Sequence, residues 1–200
     1  QQAVAFANQS AGLVVMKSKT SVLTRWECRR LMLCLDRDPH HCVFIEEEVI
    51  ALGDELAAQG KKLVMTNGCF DLLHPGHVGY LREAREVGDF LLVAINSDES
   101  VQRLKGPGRP AQPLADRCAV LEALGCVDAV VTFSDDTPLR LINLVRPRVL
   151  VKGVDYTEPS KVVGAQEVFS WGGEVKLLGP KKQWASSDLL KQSSSVAEEV

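Results

Sequence analysis

Six apolar residues stand in a row at Phe90-Leu91-Leu92-Val93-Ala94-Ile95. The run is too short to cross a membrane, and no polar residue breaks it as one would on a strand with a wet face. It fits a strand buried on both sides, the setting of a parallel sheet covered by helices. The neighbouring sequence must then supply more strands and the helices that cover them.

From about residue 61 to residue 192, strand-like and helix-like runs alternate. Leu63-Val64-Met65 predicts a short strand ending at Asn67-Gly68. Gly76 to Val87 predicts a helix with Val78, Leu81 and Ala84 on one face. A polar stretch containing Gly106, Pro107, Gly108 and Pro110 follows the Phe90 strand. Ala115 to Leu124 reads as a helix and Ala129 to Phe133 as a strand. Asp136 is placed to cap a helix from Thr137 to Leu144, with Pro138 near its first turn. Val149 to Val151 is a strand, Val162 to Trp171 a helix closed by Gly172-Gly173, and Val175 to Leu178 the last strand. Ser186 and Ser187 can cap a final helix through Lys191. Five strands with helices between them predict an α/β fold, a doubly wound five-stranded parallel sheet. Such sheets bind ligands beyond the carboxyl ends of their strands, where strand order reverses.

The first sixty residues differ. Phe44 to Gln59 can form an amphipathic helix with Glu46, Glu47 and Glu48 in its first turn, where the helix dipole favours anions. Residues 26–44 read as a linker, and Ala3 to Val15 as a helix and strand unable to bury themselves alone. Residues 193–200 form a polar tail. The chain opens on Gln1-Gln2 rather than Met, the pattern of a piece of a longer protein.

A net charge of −3 argues against general nucleic-acid binding but allows a local basic pocket for a phosphorylated ligand. No transmembrane run and no signal-peptide pattern is visible, so the expected location is the cytoplasm. Cys28, Cys34, Cys42, Cys69, Cys118 and Cys126 form no CxxC pair. Cys28, Cys34 and Cys42 with His40 and His41 match no zinc spacing, and reduced thiols are expected.

The stretch "TNGCFDLLHPGHVGYL", Thr66 to Leu81, places His74 and His77 across a Pro-Gly turn at a strand-to-helix junction. A helix starting there points free backbone N–H groups and a positive dipole end at the sheet's rim. Gly76 allows close approach, and two imidazoles can donate hydrogen bonds to phosphate oxygens. That suits transfer at phosphorus, where position and charge stabilisation carry the catalysis. The alternatives are a structural pair or a zinc pair. No GxxxxGK[ST], no GxGxxG after a strand and no GxSxG is present.

"TNGCFDLLHPGH" resembles the signature of the HxGH nucleotidyltransferases, in their cytidylyltransferase-like branch, with a Rossmann-like fold. "AINSDESVQRLKGPGRP", "PLADRCAVLEAL", "DDTPLRLINLVRPRVLVKGVDY" and "GGEVKLL" resemble the adenylyltransferase domain of the bifunctional heptose kinase/adenylyltransferases, over residues 45–192. "AVAFANQSAGLVVMKSKTSV" resembles the end of a ribokinase-like sugar kinase, making residues 1–25 a remnant of that domain. The resemblance implies transfer of AMP from ATP to a heptose 1-phosphate with Mg²⁺, in lipopolysaccharide core biosynthesis. It also implies a homo-oligomer and a kinase domain fused in the parent chain. A CTP-dependent cytidylyltransferase and a non-catalytic nucleotide-binding module remain the alternatives.

By the same resemblance, His74, His77 and Lys105 are the catalytic residues. Thr66, Asn67 and Gly68 line the nucleotide pocket through backbone and hydroxyl, beside Phe70, which is a pocket wall or a core anchor. Asp71 holds Mg²⁺ directly or through water, contacts the nucleotide or the sugar, or braces the loop. Asn96 and Asp98 reach the nucleotide, although Asp98 is equally a helix cap. Lys105, in the polar loop, reaches the phosphates. Arg109 and Arg117 are phosphate ligands, unless Arg117 is a surface helix residue. Lys152 and Gly153 lie near the nucleotide or the sugar, Asp155 binds sugar hydroxyls or makes a turn, and Ser186 and Ser187 form a phosphate-binding turn. At that turn Ala185 and Asp188 depart from the family's Ser-Thr-Thr-Asn pattern.

Overall fold

The computed structural model describes residues 43–154 and 156–179, together with the isolated positions 7, 11 and 28. The expected kinase remnant, nearly all of the linker, Asp155, Ser186, Ser187, the final helix and the polar tail lie outside the described residues. The chain divides into two compact units after residue 42, and the sheet belongs to the second.

Its elements are β1 (Val43–Phe44), α1 (Glu46–Ala58), β2 (Leu63–Gly68), α2 (Pro75–Glu86), β3 (Phe90–Asn96), α3 (Asp98–Lys105), α4 (Leu114–Glu122), β4 (Ala129–Phe133), α5 (Leu139–Val145), β5 (Val149–Gly153), a 3₁₀ turn (Pro159–Lys161), α6 (Ala165–Ser170) and β6 (Glu174–Leu178). The strands form one sheet in the order β1-β4-β3-β2-β5-β6. Every pairing is parallel, with Asn67 opposite Ala94 and Met65 opposite Leu150. The five expected strands are all present, and β1 is an added two-residue edge in the stretch read as linker. From β2 the chain steps out through β3 to β4, then returns to the other side of β2 with β5 and β6. Strand order therefore reverses at β2.

All seven residues of β3 are buried, as an unbroken apolar run requires. Alternate residues on one sheet face, Val64, Leu91, Val93, Ile95, Val149 and Val151, share a core with Leu81 and Ala84 of α2 and with Cys118 and Leu121 of α4. This alternation is the two-residue period of a strand meeting the helical spacing of its cover. Val49, Leu52 and Leu56 of α1 and Leu141, Ile142 and Val145 of α5 are buried as well. Arg140 ties α5 to α1 through Glu46 at 2.6 and 2.7 Å.

Three local expectations need correction. The polar run Asp98–Lys105 is a helix, capped by Ser97, whose Oγ accepts from the Ser100 N–H at 3.2 Å. Lys105 is therefore the last helical residue and not part of a loop. Asp136 does not cap α5, which starts at Leu139 with no side-chain cap. Its carboxylate pairs with Arg103 at 2.8 Å instead. The helix expected from Val162 starts only at Ala165, because Gly164 turns into the left-handed region at φ 88°. A Cβ there would also meet Ile142 Cδ1 at 2.6 Å, so only glycine lets this turn sit on α5. The four described cysteines, Cys28, Cys69, Cys118 and Cys126, are free thiols, as expected.

Candidate active site

The carboxyl ends of β2, β3 and β5 deliver Gly68, Asn96 and Gly153 to one rim. There α2 begins, with Pro75 as its first residue and His74 in extended conformation just before it. The His74 carbonyl accepts from the His77 N–H at 2.9 Å, which closes the first turn and brings the two side chains together. Their rings stack with centroids 3.8 Å apart and planes inclined by 23°. Phe70 lies against His77 at 5.3 Å. It is buried, and so serves both as core anchor and as a wall behind the pair.

Burial lowers the pKa of His74. It lowers that of His77 further, to about 4, helped by the neighbouring imidazole and opposed by the Leu72 backbone. Both rings are therefore neutral at pH 7 and can donate a hydrogen bond without carrying a charge. The Nδ1 atoms of both rings are buried and have no hydrogen-bond partner among the described residues. Buried polar atoms are rarely left so, and those that are often belong to functional sites.

Two clamps hold the loop that follows β2. Asp71, only 3% exposed, binds Arg109 through Oδ2. Its Oδ1 accepts from the N–H groups of Ala111 at 2.6 Å and Gln112 at 3.2 Å. Of the roles expected of Asp71, bracing the loop is the one this geometry serves. Both carboxylate oxygens already hold protein donors, so a magnesium ion bound directly would have to share or displace them. Among the described residues no group of three or more His, Cys, Asp or Glu side chains is arranged to hold a metal ion.

Arg117 is the second clamp. It is not a surface residue: its exposure is 0%. It donates to the carbonyls of Cys69 at 2.7 Å, Asn96 at 2.9 Å and Gln112 at 3.0 Å. It also pairs with Asp98 at 2.6 Å. Any direct contact with phosphate would have to break these bonds. Asp98 in turn accepts from the Leu114 N–H at 3.2 Å, which joins α3 to α4.

Several residues expected to touch ligand are committed inward. Thr66 is fully buried, and its hydroxyl meets the Tyr80 hydroxyl at 2.6 Å. It links β2 to α2, so the hydroxyl contact expected of it is spent in the core. Tyr80 was missed by sequence reasoning, although it lies one helical turn beyond His77. Burial raises its phenol pKa well above the usual value. The Asn96 amide donates to Ser100 Oγ at 3.0 Å and faces the Cys69 thiol at 3.8 Å. Burial raises the Cys69 pKa, against the pull of Lys105, Arg117 and Arg109. At the seam between β2 and β5, Lys152 Nζ donates to the Asn67 carbonyl at 2.9 Å. Desolvation brings the Lys152 ammonium down to about 8.

A parallel sheet whose strand order reverses beside stacked, neutral histidines at a helix N-terminus is the architecture of a nucleotide-handling domain. The cytidylyltransferase-like family model matches residues 65–196, and the chain belongs to that family of nucleotidyltransferases. It is 48% identical over 190 residues to the bifunctional protein HldE of Vibrio parahaemolyticus, covering 95% of this chain and 40% of that protein. It is 51% identical over 177 residues to the bifunctional protein HldE of Aliivibrio fischeri, covering 88% of this chain and 37% of that protein. The chain thus spans about 40% of the length of the curated relatives it matches. The structure of a lipopolysaccharide core biosynthesis protein from Thermoplasma volcanium superposes with TM-score 0.52 at 24% identity, covering 61% of this chain and all of that one. A pantoate-beta-alanine ligase from Francisella tularensis superposes with TM-score 0.52 at 14% identity, covering 70% and 68%. These two likenesses concern the fold alone.

Proposed function

We propose that this chain transfers AMP from ATP to D-glycero-β-D-manno-heptose 1-phosphate, giving ADP-heptose and pyrophosphate for the lipopolysaccharide core. The stacked His74–His77 pair at the start of α2 carries this reading. The 48% identity to HldE along 95% of the chain supports the choice of sugar and nucleotide. An oxygen of the sugar phosphate attacks the α-phosphorus in line as the bond to pyrophosphate breaks. The nucleophile is already an anion, so no base is required. His74 and His77 donate to phosphate oxygens where charge builds up, as neutral N–H donors held in place beforehand. Lys105, Arg109, Asn67 and Gly68 complete the surroundings of the phosphates, with Lys152 and Gly153 across the seam. Asp71 and Arg117 hold the loop that positions them.

Nucleotidyl transfer from ATP generally uses a divalent cation. We assign Mg²⁺, arriving with the triphosphate and held by its oxygens and water rather than by Asp71. The parent chain carries a kinase domain, in keeping with relatives named as bifunctional proteins, assembles as a homo-oligomer and acts in the cytoplasm. No helix among the described residues is long and apolar enough to cross a membrane.

Pyrophosphate release by the purified chain with Mg²⁺ and heptose 1-phosphate, ATP against CTP, tests the proposal. Release with ATP alone is expected. Release with CTP alone moves the chain to cytidylyl transfer. Silence with both, from folded protein that binds nucleotide, replaces the enzyme with a binding module.

A further inference from the structure

The site must meet several negative charges, yet most of its cations are already neutralised. Arg117 is enclosed by three carbonyls and Asp98. Arg109 is paired with Asp71. His74 and His77 are neutral at pH 7. Lys105 is exposed at the end of α3, where water screens its charge. Lys152 differs from all of them. It projects at the β2–β5 seam, where strand order reverses, and its one hydrogen-bond partner among the described residues is the neutral Asn67 carbonyl. Beside it, Asn67 Oδ1 is buried without a partner among the described residues. Among the described residues the titratable group that acts on the lysine is Cys69, whose own pKa burial raises.

The geometry points to Lys152 as the cation that takes a phosphate oxygen in this site, with the Asn67 carbonyl aiming its ammonium. This rests on the reading of the site as a nucleotidyltransferase and deepens it by naming the charge carrier. A desolvated ammonium that meets no carboxylate among the described residues is costly, and an arriving oxyanion removes that cost. The same ammonium is strengthened as a donor by the low local dielectric. The phosphate belongs either to ATP or to the sugar 1-phosphate, and binding separates the two.

Calorimetry on the full chain would compare wild type, Lys152→Met and Lys161→Met with ATP, inorganic pyrophosphate and heptose 1-phosphate. Lys161→Met makes the same charge change on the exposed 3₁₀ turn, where the lysine pairs with Glu158 at 3.1 Å. Lys152→Met is expected to weaken at least one phosphate ligand about tenfold or more, the scale of a lost charge-assisted contact. Its Tm should hold or rise, since an apolar isostere no longer buries a charge. Loss for ATP and pyrophosphate assigns the contact to the triphosphate. Loss confined to heptose 1-phosphate assigns it to the acceptor. Binding of all three within twofold of wild type overturns the proposal. A measurement on wild type needs no variant to fold: lysine side-chain NMR should show the Lys152 pKa rising from about 8 when its phosphate ligand binds. A value unmoved by all three ligands overturns the proposal equally. Neither readout needs turnover. A protein that shows both signatures but makes no ADP-heptose would sink the transferase reading and leave Lys152 as the anion's partner.

Discussion

Replacing Arg117 with alanine removes, in one step, the brace between three segments of the rim. The guanidinium is inaccessible to solvent and makes four hydrogen bonds, to the carbonyls of Cys69, Asn96 and Gln112 and to Asp98. The Asp98 side chain is 42% exposed, so water can replace the arginine there and that bond contributes little. The carbonyls have no such recourse. An unsatisfied buried acceptor costs about 1–3 kcal/mol, and removing one partner of a buried ionic group about 3–5 kcal/mol. These costs overlap, because one side chain makes all the contacts, so the expected loss is about 3–5 kcal/mol in total. For a chain of this length that lowers Tm by roughly 6–20 °C. Urea unfolding followed by far-ultraviolet circular dichroism measures it. Arg117→Lys keeps the charge but lacks the planar fork that reaches several acceptors at once, and should recover only part of the loss. An Arg117→Ala protein within about 1 kcal/mol of wild type would refute the clamp.

His77→Ala should leave the fold intact and cut pyrophosphate release by about 10²–10³-fold, the cost of one preorganised donor; near-normal turnover in a folded variant would remove the residue from the mechanism. The histidine pair also sets a pH dependence. Its folded-state pKa values lie below the unfolded 6.5, with His77 near 4, so the unfolded chain binds more protons between those limits. The stability this confers is complete above about pH 7 and is lost as pH falls from 6.5 toward 4. The urea midpoint should therefore drop between pH 7.5 and 5, and drop less in His77→Gln; identical drops would count against the buried neutral ring. Gly88→Ala should destabilise by about 1–3 kcal/mol, because its Cβ would lie 2.4 Å from Val64 Cγ2 and 2.8 Å from the Lys62 carbonyl oxygen. A neutral result in thermal melts would mean that the turn before β3 yields more readily than packing implies.

The strands were legible because each is an apolar run with polar or glycine-rich ends, and β3 left no alternative to burial on both faces. Val43–Phe44 was not, since two residues carry no period. Helix α3 hid for another reason. Of Asp98–Lys105 only Ser100 and Val101 are buried, so its helicity rests on the Ser97 cap and on tertiary contact rather than on an apolar stripe. His74 and His77 stood out because their spacing across Pro75-Gly76 is unusual at a strand-to-helix junction. Arg117 was expected at the surface or on a phosphate because an arginine in a short helix gives no hint of burial. Its partners lie as far as 48 residues away along the chain. The Thr66 hydroxyl was misplaced for the same reason: its partner Tyr80 depends on how α2 packs, which no local pattern records.

The reversal of strand order at β2 has a consequence during synthesis. One edge of β2 is satisfied by β3, which follows directly. The other edge waits for β5, and the Lys152–Asn67 contact that marks this pairing spans 85 residues. At about 5–20 residues per second, the ribosome needs roughly 4–17 s to make that span. Until then the strand that carries the histidine motif presents an open, apolar edge of the kind that recruits other chains. A nascent chain stalled between β4 and β5 should therefore be the one that chaperones hold, and truncations ending there should aggregate where the longer chain does not.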